Sequence, residues 1–77
     1  MPTLVLYYSP FCPYCRKVLA FMSEKSIELE LKDIGASQEN KDTLQSVGGK
    51  VQVPCLLIDG KPMYESDVII AWLTENF

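Results

Sequence analysis

Residues 3–17 read TLVLYYSPFCPYCRK, and the change of rhythm inside them decides the architecture. Thr3 to Tyr8 form a nearly continuous run of apolar and β-favouring residues, the pattern of a strand covered on both faces. Beyond Pro10 the period changes. From Pro13 to about Lys25 the apolar positions Cys15, Val18, Leu19 and Met22 recur at helical spacing, and Pro13 suits a first helical turn, where its missing N–H costs nothing. A strand that gives way to a helix across two cysteines places those cysteines at the strand's carboxyl end, the usual location of functional sites in open α/β sheets.

Outward from this stretch, residues 27–32, IELELK, alternate Ile27, Leu29 and Leu31 with Glu28, Glu30 and Lys32, which predicts a strand with one wet face. A second helix is expected from Ser37 as N-cap to about Val47, anchored by Leu44 and Val47 and stopped by Gly48 and Gly49. Residues 53–58, VPCLLI, read as a buried strand, Asp59-Gly60 as a hairpin turn, and Lys61 to Tyr64 as a return strand that Pro62 confines to a sheet edge. A last helix is expected from Ser66 as N-cap, with Asp67 in its first turn and Ile69, Ile70, Trp72, Leu73 and Phe77 as its buried stripe. The opening β-α-β unit makes two strands parallel with a right-handed crossover, and the hairpin makes the last pair antiparallel. The expected fold is α/β, in the order β-α-β-α-β-β-α, with a mixed four-stranded sheet flanked by three helices.

Composition bounds the function. Seventy-seven residues make a single domain, 1–77, and 48% hydrophobic with 22% charged residues is the composition of a soluble globular protein. A net charge of -3 with scattered Lys and Arg offers no basic patch for phosphates, so no nucleic acid partner is expected. The run Leu4 to Tyr8 is too short for a membrane span and lacks the features of a signal peptide, which points to a cytoplasmic protein with no membrane partner. Three cysteines is an odd number for a secreted disulfide framework.

The pair Cys12 and Cys15 could in principle hold a metal, form a structural bridge or work as a redox couple. A structural zinc site needs four ligands, and the chain has no histidine and only Cys55 besides, so no metal is expected. A bridge across so short a loop removes little chain entropy. Redox work suits the placement. Cys12 falls at the N-terminus of the first helix, where unpaired amides and the helix dipole stabilise a thiolate, while Cys15 lies one turn inside and is shielded. Cys12 is therefore assigned as nucleophile and Cys15 as resolving thiol.

CPYC between strand and helix, VPC at 53–55 and YESDVIIAWL at 64–73 together resemble the glutaredoxin family of the thioredoxin fold, over nearly the whole chain. The later half, GGKVQVP followed by ES at a helix start, is also similar to the glutathione-binding domain of glutathione transferases. The resemblance implies a cis Val53-Pro54 bond whose Val53 backbone pairs with glutathione, Ser66 with Glu65 and Asp67 at the γ-glutamyl end, and Tyr14 flanking the groove. Lys50 and Gln52 are candidates for the glycine carboxylate. Ser66 and Asp67 could instead serve only as cap and dipole complement, and Tyr14 could be a plain surface aromatic. A lysine often found before the first cysteine in this family is replaced here by Ser9, Pro10 and Phe11, so thiolate stabilisation is expected to lean on the helix end and on Arg16 or Lys17. Cys55 reads as a small buried apolar residue, with a regulatory disulfide or glutathionylation as the alternative.

The implied function is that of a dithiol glutaredoxin, a monomeric enzyme reducing protein disulfides and glutathionylated proteins with glutathione as reducing co-substrate. The alternatives are a thioredoxin-like reductant served by a flavoprotein reductase, and a module in which two chains share an iron-sulfur cluster through Cys12 and glutathione, a use that Pro13 disfavours by resemblance. A transferase is not expected, because the sequence ends where an all-helical second domain would begin.

Overall fold

The strand expected at the front of the chain runs Leu4–Tyr8 (β1) and is followed by α1 (Pro13–Glu24), β2 (Glu30–Asp33), α2 (Gln38–Gly48), β3 (Cys55–Ile58), β4 (Lys61–Tyr64) and α3 (Ser66–Asn76). This is a computed structural model and it describes residues 3–77; Met1 and Pro2, part of the expected domain, lie outside the described residues. The sheet order is β2-β1-β3-β4, with β1 and β2 parallel and the β1-β3 and β3-β4 pairs antiparallel. The element order and the mixed sheet are those read from the sequence, and the fold is thioredoxin-like.

Because successive strand residues point to opposite faces, the sheet builds two cores. Leu6 and Leu56 face α1 and α3, where they cluster with Val18, Met22, Ile27, Ile69 and Leu73. Tyr7, Cys55 and Leu57 face the other way and pack on Leu44 of α2. The hairpin closes through Asp59 and Gly60, both at positive φ (51° and 83°) as a two-residue turn requires. The Asp59 carboxylate also accepts the Thr3 amide at 2.8 Å, tying the turn to the start of the sheet.

Several boundaries differ from the sequence reading. β2 starts at Glu30 rather than residue 27, since the Ile27 amide is spent on the Met22 carbonyl at 2.8 Å, closing the end of α1. Leu31 is 44% exposed because β2 is an edge strand. β3 begins at Cys55, since Pro54 has no N–H for the ladder. α2 continues through Gly48 and stops at Gly49, whose φ of 79° lets its amide reach Gln45 O at 3.0 Å. Leu44 alone anchors that helix, Val47 being 41% exposed. Phe77, expected in the buried stripe of α3, is the C-cap and half exposed. The N-cap of α3 is Glu65, not Ser66: the Glu65 carbonyl accepts the Ile69 amide at 3.0 Å, while Ser66 already belongs to the helix and is buried.

Candidate active site

A tight turn delivers Cys12 to the head of α1. Its amide donates to Ser9 O at 3.2 Å, its carbonyl accepts the Arg16 amide at 3.0 Å, and its extended backbone (φ -91°, ψ 120°) makes it the N-cap. No side-chain hydrogen bond caps α1, so the first amides of the helix face a sulfur rather than the usual oxygen. Partial burial pushes the Cys12 pKa up, but the Cys15 amide, the Cys15 thiol and the Tyr14 amide pull harder in the other direction, and the net result lies below the ordinary 9.0. The strongest of these pulls come from amides and a thiol; Lys17, expected near the thiolate, is instead paired with Asp67 at 2.6 Å.

Cys15 has the opposite environment. It is fully buried, and its sulfur accepts the Ser9 amide at 3.5 Å. Burial is the main cause that pushes its thiol up to about 11, with the neighbouring Cys12 adding to the rise. One sulfur is thus made ready and the other held in reserve. All three cysteines are free thiols. Cys55 is fully buried in the α2 core, where burial pushes its thiol up against the pull of the Tyr64 hydroxyl.

Beside Cys12 lies an open groove of about 300 Å³, lined by Tyr14, Gln52, Val53, Pro54, Glu65, Ser66 and Asp67. The Cys12 thiol donates to the Val53 carbonyl at 3.9 Å, so the reactive sulfur abuts one wall. The Val53-Pro54 bond is cis. Glu65 makes the opposite corner in a backbone conformation uncommon for a residue with a side chain (φ 75°, ψ 119°); such conformations cluster at ligand clamps. The residues that the resemblance assigned to glutathione are therefore brought together, with Gln52 among them. Lys50 is not: its ammonium sits 4.5 Å over the Tyr64 ring, engaged in a cation-π contact. Two features escaped the sequence. The Lys17–Asp67 pair joins α1 to α3 from positions 50 apart, and Tyr64 bonds to the chain ahead of the groove; neither has a local pattern that could have announced it. Among the described residues no group of three or more His, Cys, Asp or Glu is arranged to hold a metal ion, and no helix is long and apolar enough to cross a membrane.

The family model for the glutathione S-transferase N-terminal domain matches residues 6–77. The chain belongs to that family. Proteins similar to this chain carry two kinds of name. Glutathione S-transferase D7 of Anopheles gambiae is 34% identical over 77 residues, covering 97% of this chain and 35% of that protein. Glutaredoxin 1 of Rickettsia felis is 33% identical over 60 residues, covering 74% of this chain and 58% of that one. Among solved structures, glutathione transferase Omega 3C from Trametes versicolor superposes with a TM-score of 0.80 at 29% identity, over 97% of this chain and 32% of the other. The chain thus spans only part of these relatives' own length, 35% of the transferase and 58% of the glutaredoxin. Both resemblances read from the sequence are thus found, the transferase domain as the matching family and the glutaredoxins among the relatives.

Proposed function

We propose that this domain is a glutathione-dependent thiol-disulfide oxidoreductase of the dithiol glutaredoxin kind, acting as a monomer on protein disulfides and glutathionylated proteins. The observation that carries this reading is the adjacency of an acidified Cys12 sulfur to a groove whose wall is the Val53 carbonyl. The thiolate attacks the glutathione sulfur of a mixed disulfide; the Cys12–glutathione bond forms, and the substrate leaves as a thiolate that takes up a proton. Once ionised, Cys12 no longer donates to Val53 O, which frees that carbonyl for an amide of the bound tripeptide. A second glutathione thiolate then attacks the bound glutathione sulfur, releasing oxidised glutathione and the Cys12 thiolate.

On a protein disulfide the resolving step differs. Cys12 joins to one substrate sulfur and expels the other, and Cys15, losing its proton, attacks Cys12 Sγ and releases the reduced protein. The pKa of Cys15 suits this timing, because part of its rise comes from Cys12; that part disappears when the Cys12 sulfur is tied up in a bond. Two glutathiones then restore the dithiol. The cytoplasm, with its reducing glutathione pool, is the compartment where this cycle runs.

In the groove, Glu65 and Asp67 supply negative charge for the ammonium of glutathione, and the start of α3 supplies free amides for its γ-glutamyl carboxylate. Titrating the labelled protein with reduced glutathione is expected to shift the amide signals of Val53, Glu65 and Ser66 and to leave those of residues 38–44 in place. Absence of shifts at Val53 and Ser66 would defeat the reading. The family match favours a second reading, transfer of glutathione to an electrophile. Conjugation of a simple aromatic electrophile at a rate indifferent to Cys12→Ser would support it over disulfide reduction.

A further inference from the structure

We infer that Tyr64 is a positioning residue for the groove, latching the segment that carries Gln52 and Val53; this inference rests on the glutathione reading. The Tyr64 hydroxyl, with one proton to give, lies 3.1 Å from Gly48 O and 3.2 Å from Lys50 O. The ring is covered by the Lys50 ammonium at 4.5 Å. Tyr64 stands opposite Cys55 across the β3-β4 pair, so the sheet fixes where its ring emerges.

The position of the latch gives it leverage. Residues 49–54 belong to no helix or strand, yet Gln52, Val53 and Pro54 form one wall of the groove. Tyr64 seizes this segment at its first residues. The next residues after Tyr64 are Glu65 and Ser66, the other wall. One side chain therefore sets the separation of two walls: by covalent sequence on one side, by hydrogen bonds on the other. Gly48 is adapted to it. A Cβ there would stand 2.1 Å from the hydroxyl and 3.3 Å from the ring carbon bearing it, so any side chain at residue 48 displaces the latch.

The test is a pair of variants and their combination. Tyr64→Phe removes only the hydroxyl and is expected to raise KM for glutathione about three- to tenfold, the loss of roughly one hydrogen bond, with kcat and the rate of Cys12 alkylation within about twofold of wild type. Gly48→Ala is expected to produce a similar rise in KM, since its Cβ displaces the hydroxyl while alanine keeps the last turn of α2 helical. The double variant is expected to equal Tyr64→Phe alone, because both remove one interaction. In the ligand-free protein, Tyr64→Phe is expected to speed amide exchange at Gln52 and Val53. An unchanged KM, multiplied effects in the double variant, or a parallel fall of kcat and alkylation would overturn the inference. Faster exchange with an unchanged KM would overturn it while leaving the glutathione reading intact; failure of the wild type to bind glutathione would remove both.

Discussion

Cys12→Ser is expected to abolish reduction of a glutathionylated peptide by glutathione, a loss of more than about a hundredfold, whereas Cys15→Ser keeps turnover within about threefold of wild type. The asymmetry follows from geometry. Cys12 alone combines a position at the head of α1, partial exposure and a lowered pKa; Cys15 is sealed in the core and protonated up to about pH 11. A serine hydroxyl in place of Cys12 cannot ionise near neutrality and cannot form the mixed disulfide. Serine in place of Cys15 leaves the first attack intact, and a second glutathione clears the intermediate. With a protein disulfide as substrate, Cys15→Ser should instead stall as a covalent complex, visible by mass. Equal loss in both variants on the glutathionylated peptide would contradict the assigned roles.

Leu56→Ala is expected to be the most damaging change to stability. Leu56 is fully buried in the central strand β3, in the cluster formed with Leu6, Val18, Ile69 and Leu73. Truncating it removes transfer energy and leaves a cavity between the sheet and two helices, a cost of about 2–5 kcal/mol. A domain of this size has a total stability of roughly 4–12 kcal/mol, so the variant should show a large drop in denaturant midpoint with an unchanged slope. Leu31→Ala supplies the contrast, because that side chain sits at the sheet edge and is half exposed; its cost should stay below about 1 kcal/mol. Similar midpoints for the two variants would mean that the core is not where it is drawn.

The sequence was a good guide wherever the signal was local. The shift from TLVLYY to the helical spacing of Cys15, Val18 and Met22 placed β1 and α1, and the Asp59-Gly60 pair placed the hairpin. The misreadings arose where a local pattern competed with a long-range demand. IELELK alternates well, yet Ile27 is taken by the end of α1 and by the core beneath it. Ser66 looks like an N-cap, but the chain needs Glu65 in its unusual conformation to turn from β4 into α3. Lys17 stands near the cysteines in sequence, and its true partner, Asp67, lies on another helix.

The groove was legible only through resemblance. Nothing in the spacing of Tyr14, Val53 and Glu65 says that a sheet brings them together, because the contact depends on the order β2-β1-β3-β4. The Tyr64 latch was hidden for the same reason. Chemistry at the head of α1, by contrast, could be argued from residues 9–17 alone, since a cysteine before a helical run meets free amides whatever the rest of the chain does.

The asymmetry between the two thiols is read from the rate of alkylation at Cys12 by iodoacetamide as a function of pH, with the labelled cysteine identified by peptide mass. The expected result is a Cys12 midpoint below 9.0, labelling of Cys12 at neutral pH, and no labelling of Cys15 until the pH nears 11. A Cys12 midpoint at or above 9.0, or labelling of both cysteines together near neutrality, would contradict it.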